Sequence, residues 1–386
     1  MAHHNTVFHQ MVKFIPRYRF NQAVRDHGGD YRVRSFGCWS HFLCLLYAQL
    51  TRQVSLRDLE AALRSKGKRL YHLGVSHLCR STLADANQRR SAQIFQEVFG
   101  ILYQQCLAKA PRHRFSFKNP LYTLDSTTIG LCLSLFQWAR FRKRKGAVKI
   151  HTLLDHRGHI PSCVIISDGK THDIVVARRM RLEPDSILII DRAYIDFCWL
   201  YQLHLQEVWF VTRLKSSINY RIIQRNKANK AAGITSDHII RIEGSKAECI
   251  PINLRRVRYV EPKTKKAYVY LTDIFHLTAG QIADIYRERW QVELFFRWIK
   301  QHLKIKSFLG TSPNAVMNQI WVALCAYLLL AYLKFLSRSP FSMYALKKRF
   351  EVNLLDPTPM SQILLPDDYS NFSDMGKQQL CFAGFG

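Results

Sequence analysis

LYTLDSTTIGL, residues 121–131, is where the chain changes character. Before it, apolar residues recur at helical spacing. WSHFLCLLYAQL (39–50) is one such run. SLRDLEAALR (55–64) is another, with Ser55 as N-cap and Leu56, Leu59, Ala62 and Leu63 on one stripe. RSTLADANQRR (80–90) follows, basic and polar, with Ser81 as the expected cap, and the pair suggests a helix-turn-helix unit or an ordinary bundle. From 121 the period drops to two. GAVKIHTLLD (146–155) and HIPSCVIISDG (159–169) read as further strands, THDIVVARRM (171–180) as a helix opening at Thr171, and DSILIIDRAYI (185–195) as a buried strand. The order strand, strand, strand, helix, strand predicts an α/β protein with a mixed sheet, in which the first and fourth strands can lie side by side.

Each of those two strands carries an acid directly after an apolar run, Asp125 and Asp191. A carboxylate inside or at the end of an apolar strand is costly to bury unless it is paired or binds a cation. Two Asp on adjacent strands could hold a divalent metal of the Mg²⁺ or Mn²⁺ type. They could equally cap turns or pair with arginines.

The 386 residues carry 57 Lys and Arg against 28 Asp and Glu, a net charge of +29. That excess points to a polyanion, nucleic acid first, and an acidic membrane surface second. A 48% hydrophobic composition excludes wholesale disorder. No apolar leader opens the chain, and the longest apolar run, IWVALCAYLLLAYL at 320–333, is shorter than a bilayer needs, so it is read as a buried helix. The ten cysteines include no C-x-x-C pair and no Cys/His spacing suited to zinc, and are expected to be reduced, mostly buried cytosolic thiols.

The third acid comes from YRERWQVELFFRWIK, 286–300. Thr278 and Gln281 form an expected capping box, and a continuous helix is expected from Gln281 to about Lys304. At about 100° per residue, Tyr286, Arg289, Glu293 and Lys300 fall within about 60° of one another. Ile285, Val292, Phe295, Phe296, Ile299 and Leu303 fill the neighbouring stripe, and Glu288 falls among them, so Glu293 is the better catalytic candidate. Arg289 and Glu293 are also spaced for a plain i, i+4 ion pair. Trp290 borders the polar stripe and could stack a base or fill the core.

The spacing Y-x2-R-x3-E-x6-K resembles the signature of bacterial insertion-sequence transposases of family four, which are DDE transposases with a ribonuclease-H-like core. YTLDSTTI and IIDRAY are similar to the family's two Asp blocks, and the β-rich segment before the Glu resembles its insertion. The likeness covers about 120–335, and the opening segment is similar to one branch of the family. It implies that Asp125, Asp191 and Glu293 are the catalytic residues and hold two Mg²⁺ ions, with Mn²⁺ able to substitute. It implies phosphate contacts from Tyr286, Arg289 and Lys300, double-stranded DNA (terminal inverted repeats and target) as partner, a homodimer in the synaptic complex, no membrane, and a bacterial cytoplasmic, nucleoid-associated location. One departure is that Ala193 stands where the second block usually has Gly, which matters if the backbone there is left-handed.

Two basic clusters are expected to track DNA. One is Arg142, Lys143, Arg144 and Lys145; the other is Arg255, Arg256 and Arg258 with nearby lysines. The expected division is a helical DNA-binding domain (1–115), the core's first part (116–204), a β-rich insertion (205–277), the core's helical part (278–335), and a C-terminal helix and tail (336–386). The expected function is metal-dependent cleavage at transposon ends and strand transfer, cut-and-paste, with hairpin ends as one route. A ribonuclease-H-like endonuclease without strand transfer and a catalytically inactive or repurposed DNA-binding protein are the alternatives.

Overall fold

The computed structural model describes residues 5–65, 78–142 and 145–366, with no side chains described for 140–142 and 145. Of the expected contacts, Lys143 and Arg144 lie outside the described residues, and Arg142 and Lys145 are described in backbone alone. Two compact units divide the chain: Met1–Ala110 with His302–Gly386, and Pro111–Gln301.

The first unit is helical: α1 (Val7–Val12), α2 (Arg17–Asp26), α3 (Cys38–Thr51), α4 (Leu56–Arg64), α5 (Arg80–Arg89) and α6 (Gln93–Lys109). The Ser55 hydroxyl caps α4 at Asp58 N–H as expected. α5 starts one residue before Ser81, with Cys79 at its cap position, so the expected serine cap is corrected. The connection between α4 and α5 lies outside the described residues.

The same unit contains α11 (Pro313–Ser337), followed by α12 (Met343–Asn353) and α13 (Met360–Leu364). α11 is apolar on all sides, so it must be covered on all sides. It packs on α3 and α6, with Trp321 against Phe99 at 5.4 Å between ring centres. By length and composition it could cross a bilayer, yet 72% of its most apolar window is buried within the protein. Its polar residues bond backbone groups of neighbouring segments: the Asn314 amide donates to Asn87 O at 3.0 Å, and Gln319 accepts from Leu309 N–H at 2.8 Å. This packing puts 302–335 with the N-terminal helices, whereas the sequence reading grouped 278–335 with the sheet.

His41 sits in this core with no exposure, its Nε2 2.7 Å from Asn87 Oδ1. Burial pushes it down to about 3, more than the Asn87 bond can offset. A depressed imidazole means the unfolded chain takes up the proton first. Its contribution to stability is thus complete above about 6.5 and is lost as pH falls toward about 3, at up to about 1.4 kcal/mol per pH unit. Urea unfolding at pH 7.5, 6 and 5 is expected to show that loss, and His41→Gln to flatten it; an identical slope in both chains contradicts the assignment.

The second unit is built on one ten-stranded mixed sheet. Its strands are β1 (Leu121–Leu131), β2 (Arg140–Arg142), β3 (Lys145–Asp155), β4 (Ile160–Asp168), β5 (Ile187–Ile190), β6 (Trp209–Arg213), β7 (Tyr220–Asn226), β8 (Ile234–Ile242), β9 (Leu254–Val260) and β10 (Ala267–Thr272). β1 pairs antiparallel with β3 and parallel with β5, as the strand order suggested, and β5 pairs parallel with β6. The β5–β6 crossover is α8 (Phe197–Leu205), preceded in the chain by the short α7 (Asp173–Ala177). The β-rich block is not a separate sheet: β6 joins β5, and β10, β9, β8 and β7 extend it.

Period-two alternation sorts the side chains. Tyr122, Leu124, Leu188 and Ile190 pack on α7 and α8. Leu121, Ile187 and Ile189 face the other way, onto α9 (Ala279–Arg287). The Thr278–Gln281 capping box that opens α9 is formed. Cys198 on α8 and Cys249, 51 apart in sequence, are joined by a disulfide, an exception to the expected reduced thiols; the other seven described cysteines are free, four of them buried.

Candidate active site

The register of β1 on β5 places the two aspartates. Leu124 stands opposite Ile190, and Asp125 and Asp191 are each the next residue along. Both share the odd-numbered face with Leu121, Ile187 and Ile189, so both point to the α9 side. Asp125 accepts the Ser126 N–H at 2.8 Å. Burial pushes its carboxyl up to about 6; Glu293 and Asp191 add to the rise, while the Ser126 N–H and Arg289 oppose it.

Glu293 and Arg289 come from the expected helix, which is in fact two. α9 ends at Arg287, and α10 (Trp290–His302) begins after a tight turn at Glu288–Arg289. In that turn Arg289 N–H reaches back to Tyr286 O at 3.1 Å and Gln291 N–H to Glu288 O at 2.9 Å, so each spans three residues rather than four. No Pro or Gly marks the break, which is why periodicity ran straight through it. Arg289 still meets both acids: Nη1 donates to Asp125 Oδ2 at 3.3 Å, and Nη2 to Glu293 Oε1.

Lys300, three helical turns on, donates to Thr128 O at 3.0 Å and to Thr127 Oγ1, and so ties α10 to β1 just past Asp125. Tyr286 is buried against Tyr270, 5.0 Å between rings, and burial pushes its hydroxyl up to about 12. Trp290 is 47% exposed, with the Arg297 guanidinium 5.7 Å from its ring. That exposure places it outside the packed stripe. Asp191 accepts Ala193 N–H at 3.3 Å in a short turn at Arg192–Tyr194. Ala193 is not among the residues with positive φ, so it carries no left-handed strain in place of the family's glycine.

The second basic cluster divides. Arg255 shares its face of β9 with Val257 and Tyr259 and is 6% exposed. Its guanidinium binds Asp237 at 2.8 Å and the Leu277 carbonyl at 2.5 Å. The expected phosphate contact at Arg255 is therefore corrected: the donors are spent inside. Arg256 and Arg258 lie on the alternate face, partly exposed, bonded to Ser236 and Thr235 hydroxyls at 3.1 and 3.0 Å.

Sequence reasoning missed two groups beside the triad. Asp173, at the start of α7, accepts the Ser126 hydroxyl at 2.8 Å and pairs with Lys149 at 3.2 Å, on the opposite face of β1. Glu288, set aside as a packing residue, holds Arg114 at 2.8 Å and approaches His156 and His159 at 3.7 and 3.8 Å. The THD triplet at 171–173 was a signal for the first; for the second there was only the H-x-x-H of 156–159.

Two carboxylates on one guanidinium, with Asp191 on the neighbouring strand next to Asp125, on a basic protein, suit cation-assisted chemistry on a phosphate ester. Comparison with known proteins agrees. Residues 116–329, more than half of the chain, match the model of the transposase DDE domain, and residues 3–76 match a domain of unknown function, DUF4372. The transposase-named y4zB protein of Sinorhizobium fredii is 34% identical over 64% of this chain and 69% of its own length. A protein named as the transposase of insertion sequence element IS5377 of Geobacillus stearothermophilus is 30% identical over 68% of this chain and 69% of its own. One named for element IS4SA of Synechocystis is 24% identical over 72% and 78%. A structure of the piggyBac transposase synaptic complex with hairpin DNA aligns at 12% identity and a TM-score of 0.43, covering 97% of this chain and 82% of that one, too distant to carry an argument. With its acids in order inside the matched region, the chain belongs to the DDE transposases of bacterial insertion sequences and is a DNA transposase.

Proposed function

We propose that this transposase cuts DNA at the ends of its element and joins the freed 3′-OH to target DNA, with Asp125, Asp191 and Glu293 as one catalytic centre. The observation that carries the reading is the parallel β1–β5 register that sets Asp125 beside Asp191, with Arg289 touching Asp125 and Glu293 at once. The order β4-β3-β1-β5-β6, three antiparallel strands followed by two parallel ones, supports a ribonuclease-H-like core.

The donor set fits a metal. Three carboxylates are hard oxygen ligands suited to Mg²⁺, with Mn²⁺ able to substitute. Burial holds the Asp125 carboxyl up to about 6, with smaller contributions from Glu293 and Asp191, and a bound cation would offset them. Two Mg²⁺ ions bound there would supply activation of the attacking oxygen and stabilisation of the leaving one.

The chain's own residues position the DNA. Arg289 offers a two-pronged donor suited to a phosphate beside the cut, and Lys300 a point charge further along α10. Tyr286 is buried beneath them, its hydroxyl enclosed, and lies beside Arg289 as a packing neighbour. Trp290, exposed at the start of α10, suits stacking on an unpaired base. Arg256 and Arg258 extend the positive surface. Two element ends require two centres, so the working form is a homodimer in a synaptic complex, acting on the chromosome in the bacterial cytoplasm.

The test is the purified chain with Mg²⁺ and DNA carrying the element's ends, resolved on denaturing gels. Cut ends bearing 3′-OH are expected, and hairpin-capped ends among them would assign the hairpin route. Linear ends without hairpins remove the hairpin step; binding without cutting favours a DNA-binding protein and removes the enzyme reading.

A further inference from the structure

We propose that His156, His159 and Glu288 form a binding site for one divalent ion of the zinc class, distinct from the acidic triad, that fixes the joint between α9 and α10. The two histidines flank the tight turn from β3 to β4, in which Gly158 and His159 adopt φ of 69° and 55°. Glu288 caps the C-terminal end of α9, directly after Arg287. Among the described residues, these are the His, Cys, Asp or Glu side chains whose ligand atoms, three or more together, already lie within 4.8 Å of one another.

The distances fit an ion better than they fit hydrogen bonds. His156 Nδ1 and His159 Nε2 stand 3.7 and 3.8 Å from Glu288 Oε2, beyond hydrogen-bond reach. Tetrahedral ligands at about 2.1 Å from a zinc ion lie about 3.4 Å apart, so small side-chain rotations close the site. Two imidazole nitrogens and a carboxylate are a donor set for zinc rather than for Mg²⁺.

The surroundings hold each ligand in its binding form. His156 is 2% exposed, and its Nε2 meets the Thr123 hydroxyl at 2.7 Å. That bond orients the ring and leaves Nδ1, buried and without a hydrogen-bond partner, aimed at Glu288. Burial also pushes His156 below its ordinary pKa, toward the neutral form a metal requires. Arg114 takes Glu288 Oε1 at 2.8 Å, which orients the carboxylate and leaves Oε2 for the ion. The Arg114 charge subtracts from cation affinity, and the site offers one negative charge against it. A cavity of about 200 Å³, lined by Arg112, His113, Phe115 and Gly158, leaves room for water as the fourth ligand.

The location gives the site its role. Thr123 lies on the same face of β1 as Asp125, two residues before it, and Glu288 directly precedes Arg289. An ion here ties the β3–β4 turn to the joint from which α10 carries Glu293. His156, His159 and Glu288 are therefore positioning residues, and the inference does not depend on the proposed reaction.

The experiment is metal analysis of the purified full chain. It is loaded with Zn²⁺ alone, without Mg²⁺, and passed through a desalting column. We expect one zinc per chain in the wild type and in Asp191→Asn, and a loss of that zinc in His159→Ala and Glu288→Gln, with Zn²⁺ raising the melting temperature only in the first pair. Should the two variants fail to fold, Co²⁺ added to the wild type reads the same site, and visible absorption bands of a nitrogen-and-oxygen tetrahedral centre are expected. No retained zinc and no Co²⁺ bands in the wild type overturn the proposal. So does full zinc retention by a folded Glu288→Gln chain, which would place the ion on other ligands.

Discussion

A Glu293→Gln chain is expected to bind element-end DNA as tightly as the wild type and to cut it about a thousandfold more slowly, about 4 kcal/mol of transition-state stabilisation. The amide keeps the shape of the side chain but loses the charge that would hold a cation. It keeps an oxygen that Arg289 can bond, so the turn at Glu288–Arg289 and the packing of α10 survive. Val292, Phe295, Phe296 and Ile299, not Glu293, hold α10 in place. A gel-shift titration alongside a cleavage time course separates the two effects. Cutting at the wild-type rate removes Glu293 from the mechanism, and an equal loss of binding and cutting makes it a DNA-holding residue instead.

The second large effect lies away from the triad. Arg255→Ala is expected to destabilise the protein by about 3–5 kcal/mol, because it leaves Asp237 charged and unpaired in the interior. Its guanidinium also satisfies the carbonyls of Ile274 and Leu277, which lead into α9. The change should appear as a lower urea midpoint, with the salt dependence of DNA binding unaltered in the folded chain. Arg256→Ser with Arg258→Ser should do the reverse, leaving the midpoint in place and flattening the salt slope by up to about two contacts. A stable Arg255→Ala chain with a flatter salt slope would return Arg255 to the DNA surface.

Asp125 and Asp191 were legible because a carboxylate bounded by Leu124 and Ile190 stands out in an apolar strand, and alternation then fixes the face it points to. The placing of the first strand beside the fourth followed from the strand order. Arg255 was not legible, because LRRVRYV breaks its own alternation: an arginine on the inner face reads like its neighbours on the outer one until Asp237 is seen beneath it. Glu288 reads as a packing residue in sequence because helical periodicity runs across a break that no Pro or Gly announces. His156 and His159 gain meaning only when the fold delivers a third ligand from far along the chain. The fate of 320–333 was half legible: all-round apolarity required burial, but not against which helices.

The central claim is that one centre built on Asp125, Asp191 and Glu293 both cuts and joins. The most direct measurement supplies pre-cut element ends with free 3′-OH, a supercoiled target plasmid and Mg²⁺, and scores joined products. The wild-type chain should produce them, and Asp125→Asn, Asp191→Asn and Glu293→Gln should each fail while still binding the ends. Joining by any of these three variants at the wild-type rate, or a wild-type chain that cuts ends and never joins them, would contradict it.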